Sequence, residues 1–223
     1  MTRIFDILFS FTALLLFLPF GLIIALILRF TGEGEVFYIQ NRIGKEGRYF
    51  GLLKFATMLK NSPSIGNGDI TVKDDPRILP LGHFLRKSKV NEIPQLINIL
   101  LGDMGVVGPR PQTSKNFEYF PAEEKKYILS MRPGLTGIGS IVFRDEETIV
   151  ANSGKPVEKC YCEVIGPYKA KLEAWYYKRQ TIANYFLLIF ITAWVVFFPR
   201  SKIYIRIWPS LPVLPDELRH ETK

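Results

Sequence analysis

The sequence predicts a mainly helical α+β fold that is attached to a membrane. An uncharged apolar stretch, residues 7–28, predicts a membrane helix, and an alternating segment with two nearby glycines, residues 36–54, predicts a small β-hairpin. Short helical patterns follow. We divide the chain into a membrane helix (1–32), a central domain with the hairpin and membrane-surface amphipathic helices (33–180), and an apolar membrane-associated helix with a polar tail (181–223).

Composition indicates a membrane surface as the partner. The 223 residues carry a formal net charge of +8 and are 48% hydrophobic, and the 29 Lys and Arg residues lie mostly outside the apolar stretches. A basic protein of this kind suits an anionic membrane. The sequence contains no nucleic-acid-binding motif, so nucleic acid is not expected as a partner. Cys160 and Cys162 have no further Cys or His nearby, which favours two reduced thiols over a metal site.

The apolar stretch from Ile7 to Leu28 forms about 33 Å of helix at 1.5 Å per residue, enough to reach across a bilayer. A cleaved signal peptide is disfavoured, because the stretch is long and no small-residue cleavage site follows. Pro19 near its middle favours a bend. Arg3 and Arg29 flank the stretch, and both on the cytoplasmic side would satisfy the positive-inside rule. A crossing helix and a helix that returns to the same side both remain open on the residues alone.

The hairpin is predicted from residue alternation. Val36, Tyr38 and Gln40 alternate with their neighbours, and Gly44 and Gly47 bracket a Lys-Glu turn. The second strand ends at Lys54. A polar loop follows over residues 61–69, rich in glycine, serine and proline.

A short helix is predicted from Glu92 to Leu101. Asn91 is placed to cap its start, Pro94 is tolerated in the first turn, and Gly102 is placed to end it. Capping would explain Asn91 without any chemistry. The same helix start offers free N–H groups and partial positive charge, which suit a phosphate.

Basic residues gather around this helix, and several are held beside prolines. The set is Arg77, Arg86, Lys87, Lys89, Arg110 and Arg132. A guanidinium held in place by a neighbouring proline suits phosphate oxygens. Acidic residues in the same region supply hard oxygen ligands: Asp74, Asp75, Glu92 and Asp103. Because Mg²⁺ uses one or two carboxylates together with substrate phosphates, the set predicts a cation-assisted diphosphate site at a membrane surface.

Three segments of the chain resemble one known family. They read RIGKEGRYFGLLKFATM, DDPRILPLGHFLRKSKVNEIPQLINILLGDMGVVGPRP and MRPGLTG, and they follow the apolar stretch in the family's order. The chain resembles the bacterial sugar transferases, the monotopic phosphoglycosyl transferases, over roughly residues 3 to 185.

The resemblance implies an enzyme that transfers a phospho-sugar from a UDP-sugar to polyprenyl (undecaprenyl) phosphate, releasing UMP, with Mg²⁺ as cofactor. It implies the bacterial inner membrane, with the catalytic domain facing the cytoplasm. It implies a re-entrant helix broken at the proline that matches Pro19. Lys54, Arg77, Arg110 and Arg132 match positions that we expect to bind substrate.

The reaction centre departs from the family pattern. The family has an Asp-Glu pair, in which the Asp attacks the β-phosphate, and this chain has Asn91-Glu92. We expect these two residues to serve as catalytic groups and metal ligands. A carboxamide is a poor nucleophile, so three possibilities stay open: Glu92 attacks instead, the polyprenyl phosphate attacks directly, or the protein is an inactive binding or scaffold protein. Ala56 is a second departure, where the family usually has Arg.

The C-terminal third contains two further elements. Residues 167–180 mix Lys and Arg with aromatic residues, which is typical of the lipid headgroup layer and also of an ordinary amphipathic surface helix. The apolar run from Ile182 to Phe198 is short for a span, and lying in the interface, packing on the first helix and crossing are all open. Neither the sugar nor the oligomeric state is predicted.

Overall fold

The computed structural model describes residues 2–66, 68, 70–72, 74–199 and 201–215. Its helices are α1 (Arg3–Phe30), α2 (Pro80–Lys87), α3 (Gln95–Leu101), α4 (Ser114–Glu118), α5 (Ala122–Ser130), α6 (Ile138–Val142), α7 (Glu146–Asn152), α8 (Val157–Cys160), α9 (Gly166–Tyr177), α10 (Ile182–Phe197) and α11 (Ile203–Ile207). Its strands are β1 (Phe37–Ile43), β2 (Tyr49–Phe55), β3 (Gly105–Val107) and β4 (Gly134–Thr136). The mainly helical α+β class is therefore confirmed.

The N-terminal helix is continuous through Pro19. The break predicted at Pro19 is therefore not confirmed, and the bend stays a prediction. Proline removes a single N–H from the backbone hydrogen bonds of the helix, and Pro19 is exposed. By length and composition α1 could cross a membrane. One face, including Asp6, Ser10 and Leu28, is buried against the rest of the chain, while most of its other apolar side chains are exposed.

The predicted hairpin is confirmed. β1 and β2 pair antiparallel, with Phe37 opposite Phe55 and Ile43 opposite Tyr49. The turn between them uses two left-handed residues, Glu46 (φ 60°) and Gly47 (φ 77°). Glycine adopts that conformation without strain, which is why the second glycine marks the turn.

A short parallel pair, β3 with β4, was not predicted. Gly105 lies opposite Gly134, and Val107 lies opposite Thr136. The strands approach so closely that a Cβ at Gly134 would stand 2.1 Å from the Gly108 nitrogen. This contact places the proline-flanked segments 109–111 and 132–134 side by side.

Helix α9 is a core helix. The sequence placed it in the headgroup layer or on the surface, and both interpretations are wrong, since nine of its twelve residues are buried. Leu172 is fully buried, and Trp175 packs edge-on against Trp208 with ring centroids 6.0 Å apart. Cys160 is buried and Cys162 exposed, and both are free thiols as predicted.

The second apolar run forms a helix, α10, as predicted. Leu188, Ile191 and Val195 pack into the core, while Phe186 and Phe190 are exposed on the opposite face. The ring of Phe186 meets that of Phe5 on α1 at 5.1 Å between centroids. The exposed apolar faces of α1 and α10 therefore adjoin.

Candidate active site

The site is built on the turn that precedes α3. Lys89 has a left-handed backbone (φ 61°), and a single 3₁₀ turn, Val90–Glu92, follows it. Helix α3 then starts after Pro94 and ends at Gly102 (φ 99°). The end at Gly102 is confirmed, but the start lies three residues later than predicted.

Asn91 is not a helix cap. It lies inside the 3₁₀ turn, where its side chain bonds to no helix N–H, and it is buried. Its Oδ1 has no hydrogen-bond partner among the described residues. A buried acceptor without a partner costs free energy, so the position suits an external cation or donor.

Glu92 forms a two-pronged ion pair with Arg110. The Arg110 Nη2 donates to Oε1 at 2.7 Å and Nη1 donates to Oε2 at 3.3 Å. Burial opposes ionisation of Glu92, but Arg110 more than offsets it and holds the pKa of the carboxyl well below its usual range. Glu92 in turn raises the pKa of Arg110. Both groups are therefore charged at neutral pH.

Two lysines complete the charge around this pair. Burial lowers the pKa of Lys54 well below its usual value, and the positive charge of Arg42 adds to the effect. Burial also lowers the pKa of Lys89, although Glu92 acts in the opposite direction. Three basic groups thus surround one carboxylate, and the charges of the lysines are destabilised until an anion arrives.

These residues line a cavity of about 1980 Å³. Its polar wall contains the charged residues Lys54, Lys89, Glu92 and Arg110 and the neutral Asn91. Apolar side chains also line it: Phe9, Ala13 and Phe17 from α1, and Ile189, Ala193 and Val196 from α10. The spacing of three or four residues shows that each helix turns one face toward the cavity.

Comparison with known proteins identifies the family. The family model described as "Bacterial sugar transferase" matches residues 1–199. The chain belongs to the bacterial sugar transferase family. It is therefore an enzyme, as the resemblance predicted.

Three curated relatives of this sugar transferase have informative names. The exopolysaccharide production protein ExoY of Rhizobium meliloti is 39% identical over 158 residues, which are 65% of this chain and 70% of that protein. The undecaprenyl-phosphate galactose phosphotransferase of Salmonella typhimurium is 32% identical over 209 residues, 87% of this chain and 40% of the relative. An Aeromonas hydrophila protein named UDP-N-acetylgalactosamine-undecaprenyl-phosphate N-acetylgalactosaminephosphotransferase is 35% identical over 139 residues, 61% of this chain and 33% of that protein.

The sugar transferase does not bring all predicted arginines into its cavity. Arg77 is buried and pairs with Asp75 at 2.6 Å, and this pairing lowers the pKa of Asp75 to about 2. Its other donors bond to the carbonyls of Ser62, Ile65, Gly68 and Ile70. These bonds hold the described residues of this loop and give Arg77 a structural role, and its predicted role in substrate binding stays a prediction.

Arg132 is exposed and also lies outside the cavity lining. Of the three arginines expected to bind substrate, only Arg110 lies in the cavity lining among the described residues. Lys54, also expected, and Lys89 lie there too, together with further basic residues, including Arg42, Arg86, Lys87 and Arg144.

Glu173 is a site residue that sequence reasoning missed. Only 3% of it is exposed, and it lines the cavity from α9. Burial raises the pKa of its carboxyl to about 8, while the backbone of Gly139, the charge of Lys169 and the backbone of Arg110 oppose the shift only in part. An acidic residue among aromatic ones, four residues after Lys169, was the signal in the sequence.

Whether this site could hold Mg²⁺ depends on the oxygen atoms that its residues offer as ligands. The described residues contain no group of three or more His, Cys, Asp or Glu that could hold a metal alone. Mg²⁺ commonly takes only one or two protein oxygens and completes its shell with phosphates and water. The partnerless Oδ1 of Asn91 and the carboxylate of Glu92, both from residues that line the cavity, fit that requirement.

Proposed function

We propose that this enzyme transfers a phospho-sugar from a UDP-sugar to polyprenyl phosphate at the cytoplasmic face of the bacterial inner membrane and releases UMP. The observation that carries the proposal is the single cavity that joins a basic site to apolar faces of α1 and α10. A substrate with a phosphate head and an isoprenoid tail matches such a lining. The names of the Salmonella and Aeromonas relatives give the same substrate class.

Charge supports a diphosphate as the other substrate. Lys54, Lys89 and Arg110 face one carboxylate, so the site carries excess positive charge. Burial penalises both lysine charges, and a bound diphosphate would remove that penalty. The lysines would therefore bind the diphosphate, which is the part of the UDP-sugar that reacts.

The contacts of α1 support a membrane helix that enters and leaves on one side. Its 28 residues span about 42 Å, whereas a bilayer core is about 30 Å thick. Asp6 near its start bonds to Val106, and Leu28 near its end packs with Phe55 and Leu85 of the same domain. A helix that crossed the bilayer would separate these ends by the membrane. The exposed apolar side chains would lie in lipid, with Pro19 as the weak point for a bend.

The geometry favours direct attack by the polyprenyl phosphate over attack by Glu92. The ion pair with Arg110 involves both oxygens of Glu92, which makes the carboxylate a weaker nucleophile but leaves lone pairs that can still bind a cation. In the proposed step an acceptor phosphate oxygen bonds to the β-phosphorus of the UDP-sugar. The bond from that phosphorus to the bridging oxygen of UMP breaks, and UMP leaves with its electrons.

The chain's own residues bind and orient the two phosphates in this step. Arg110 and Lys89 neutralise charge that develops on the phosphoryl oxygens. Asn91 and Glu92 would hold Mg²⁺, which supplies further charge neutralisation when bound. No comparison supports the alternative of an inactive binding protein.

The proposal is tested with purified protein, polyprenyl phosphate, Mg²⁺ and a panel of UDP-sugars. We expect UMP release that requires all three additions and falls sharply in Glu92→Gln. If no UDP-sugar yields UMP, the proposed function is wrong. Mass spectrometry of quenched reactions tests the route: a phospho-sugar adduct on Glu92 would show that Glu92 is the nucleophile.

A further inference from the structure

The first turns of α1 bond directly to α3 and β3, the two elements that adjoin Glu92 and Arg110 in the chain. We infer that Arg3 and Asp6 are positioning residues, which hold α3 and β3 together and so set the geometry of that pair. This inference rests on the proposed function of the site. Neither side chain lines the cavity, so any effect on the reaction must pass through other residues.

Arg3 holds the far end of α3. Its Nη1 donates to the Ile99 carbonyl at 2.6 Å and its Nη2 donates to the Leu100 carbonyl at 2.9 Å. The last carbonyls of a helix have no partners within the helix and carry partial negative charge, so a guanidinium is well suited to them. The turn with Glu92 adjoins the opposite end of this two-turn helix. Fixing one end of so short a rigid element orients the other.

Asp6 holds β3. Its Oδ1 accepts from the Val106 N–H at 2.9 Å and from the Tyr185 hydroxyl at 2.8 Å, and only 4% of Asp6 is exposed. Without the carboxylate, a buried backbone N–H would lose its partner. Arg110 follows four residues later, after a backbone bond from Gly108 to Thr136 at 2.9 Å. Val106, which Asp6 holds, is therefore separated from Arg110 by only a short, hydrogen-bonded stretch of backbone.

Helix α1 thus connects the element that adjoins Glu92 with the element that adjoins Arg110. Arg3 and Asp6 lie one turn apart on the same face of α1, and each holds one of the two elements. Loss of either contact frees α3 and β3 to shift relative to each other. A displacement of about 1 Å at a reacting group costs on the order of 100-fold in rate.

The test compares Asp6→Ala, Asp6→Asn and Arg3→Ala with Leu28→Ala in the full chain. Asparagine keeps an acceptor oxygen, so Asp6→Asn is the conservative rescue. Leu28 is a buried residue near the other end of α1 and serves as the matched destabilised control. The measurements are kcat and KM for UMP release below the unfolding temperature, and amide hydrogen exchange over residues 89–95 and 106–112.

We expect Asp6→Ala and Arg3→Ala to lower kcat on the order of 100-fold, with KM for the UDP-sugar changed by less than about 3-fold. Exchange in both segments should rise, whereas Asp6→Asn should stay within about 10-fold of wild type in kcat. Combined with Arg110→Lys, Asp6→Ala should cost little more, because coupled residues are not additive.

Losses no larger than those of Leu28→Ala at equal melting temperature would overturn the inference, as would additive losses with Arg110→Lys. If wild type releases no UMP, the proposed function fails, and hydrogen exchange still decides the positioning claim. Unchanged exchange in Asp6→Ala would refute it.

Discussion

Replacing Glu173 by glutamine should make the stability of this enzyme less dependent on pH. The carboxyl is buried, and its pKa is raised from 4.5 to about 8. Below pH 4.5 both the folded and the unfolded chain keep the proton, so this group carries no penalty. As the pH rises from 4.5 to 8, the unfolded chain releases the proton and the folded chain retains it. Stability is therefore lost as the pH rises across this window.

The size of the effect follows from the same shift. One pKa unit corresponds to about 1.4 kcal/mol, so wild type should lose ~3 kcal/mol between pH 5 and 7.5 relative to Glu173→Gln. Glutamine has nearly the same shape and does not titrate in this range. Glu118 provides a control, since Glu118→Gln makes the same substitution at an exposed position.

The assay is thermal unfolding in detergent, followed by tryptophan fluorescence at several pH values between 5 and 8.5. Wild type and Glu118→Gln should share one pH profile, and Glu173→Gln should be flatter. If all three profiles are parallel, Glu173 is ionised in the folded protein and the assignment of a neutral carboxyl beside Arg110 is wrong.

Three other predictions address the basic site and its surroundings. Arg110→Lys should lower UMP release on the order of 100-fold, because lysine cannot engage both oxygens of Glu92; near-wild-type kcat would contradict this. Asn91→Asp should remain folded, because the surrounding basic groups balance the new charge. Mass spectrometry should then detect a phospho-sugar adduct at position 91. A large drop in melting temperature would count against that charge balance. Arg77→Ala should lower the free energy of unfolding by about 3–5 kcal/mol, because Asp75 stays buried without its partner. At temperatures where the variant is folded, KM for the UDP-sugar should stay unchanged. A raised KM would indicate that Arg77 contributes to substrate binding.

The sequence predicted those elements whose formation depends on residues close together in the chain. The hairpin follows from alternation and from a turn with a left-handed glycine, and α10 follows from an uninterrupted apolar run. The β3–β4 pair has no such signal. Each strand is three residues long, and the pairing depends on the absence of side chains at Gly108 and Gly134. A contact between distant glycines leaves no periodicity to detect.

The candidate site was predicted in part for a similar reason. Arg77 and Arg110 both follow a proline, and only tertiary contacts separate them: Arg77 satisfies loop carbonyls, and Arg110 reaches Glu92. Residue type and spacing identify a group that can bind phosphate. They do not show whether the fold has already supplied that group with partners.

Helix α9 shows why the membrane interface was assigned to the wrong element. Lys169 and Glu173 face a polar internal cavity, and Lys169 pairs with Glu146 at 2.6 Å, while Leu172 on another side of the helix packs in the core. A helix between headgroups and lipid has the same two-sided composition, so residue pattern alone cannot tell a charged cavity from a charged membrane surface. The exposed apolar side chains resolve the ambiguity, because most of those in the described residues lie on α1 and α10, where water would penalise them. Helices α1 and α10 thus supply both the lipid-facing surface and an apolar wall of the cavity, and other segments supply its polar wall. A substrate with a polar head and a lipid tail requires this combination.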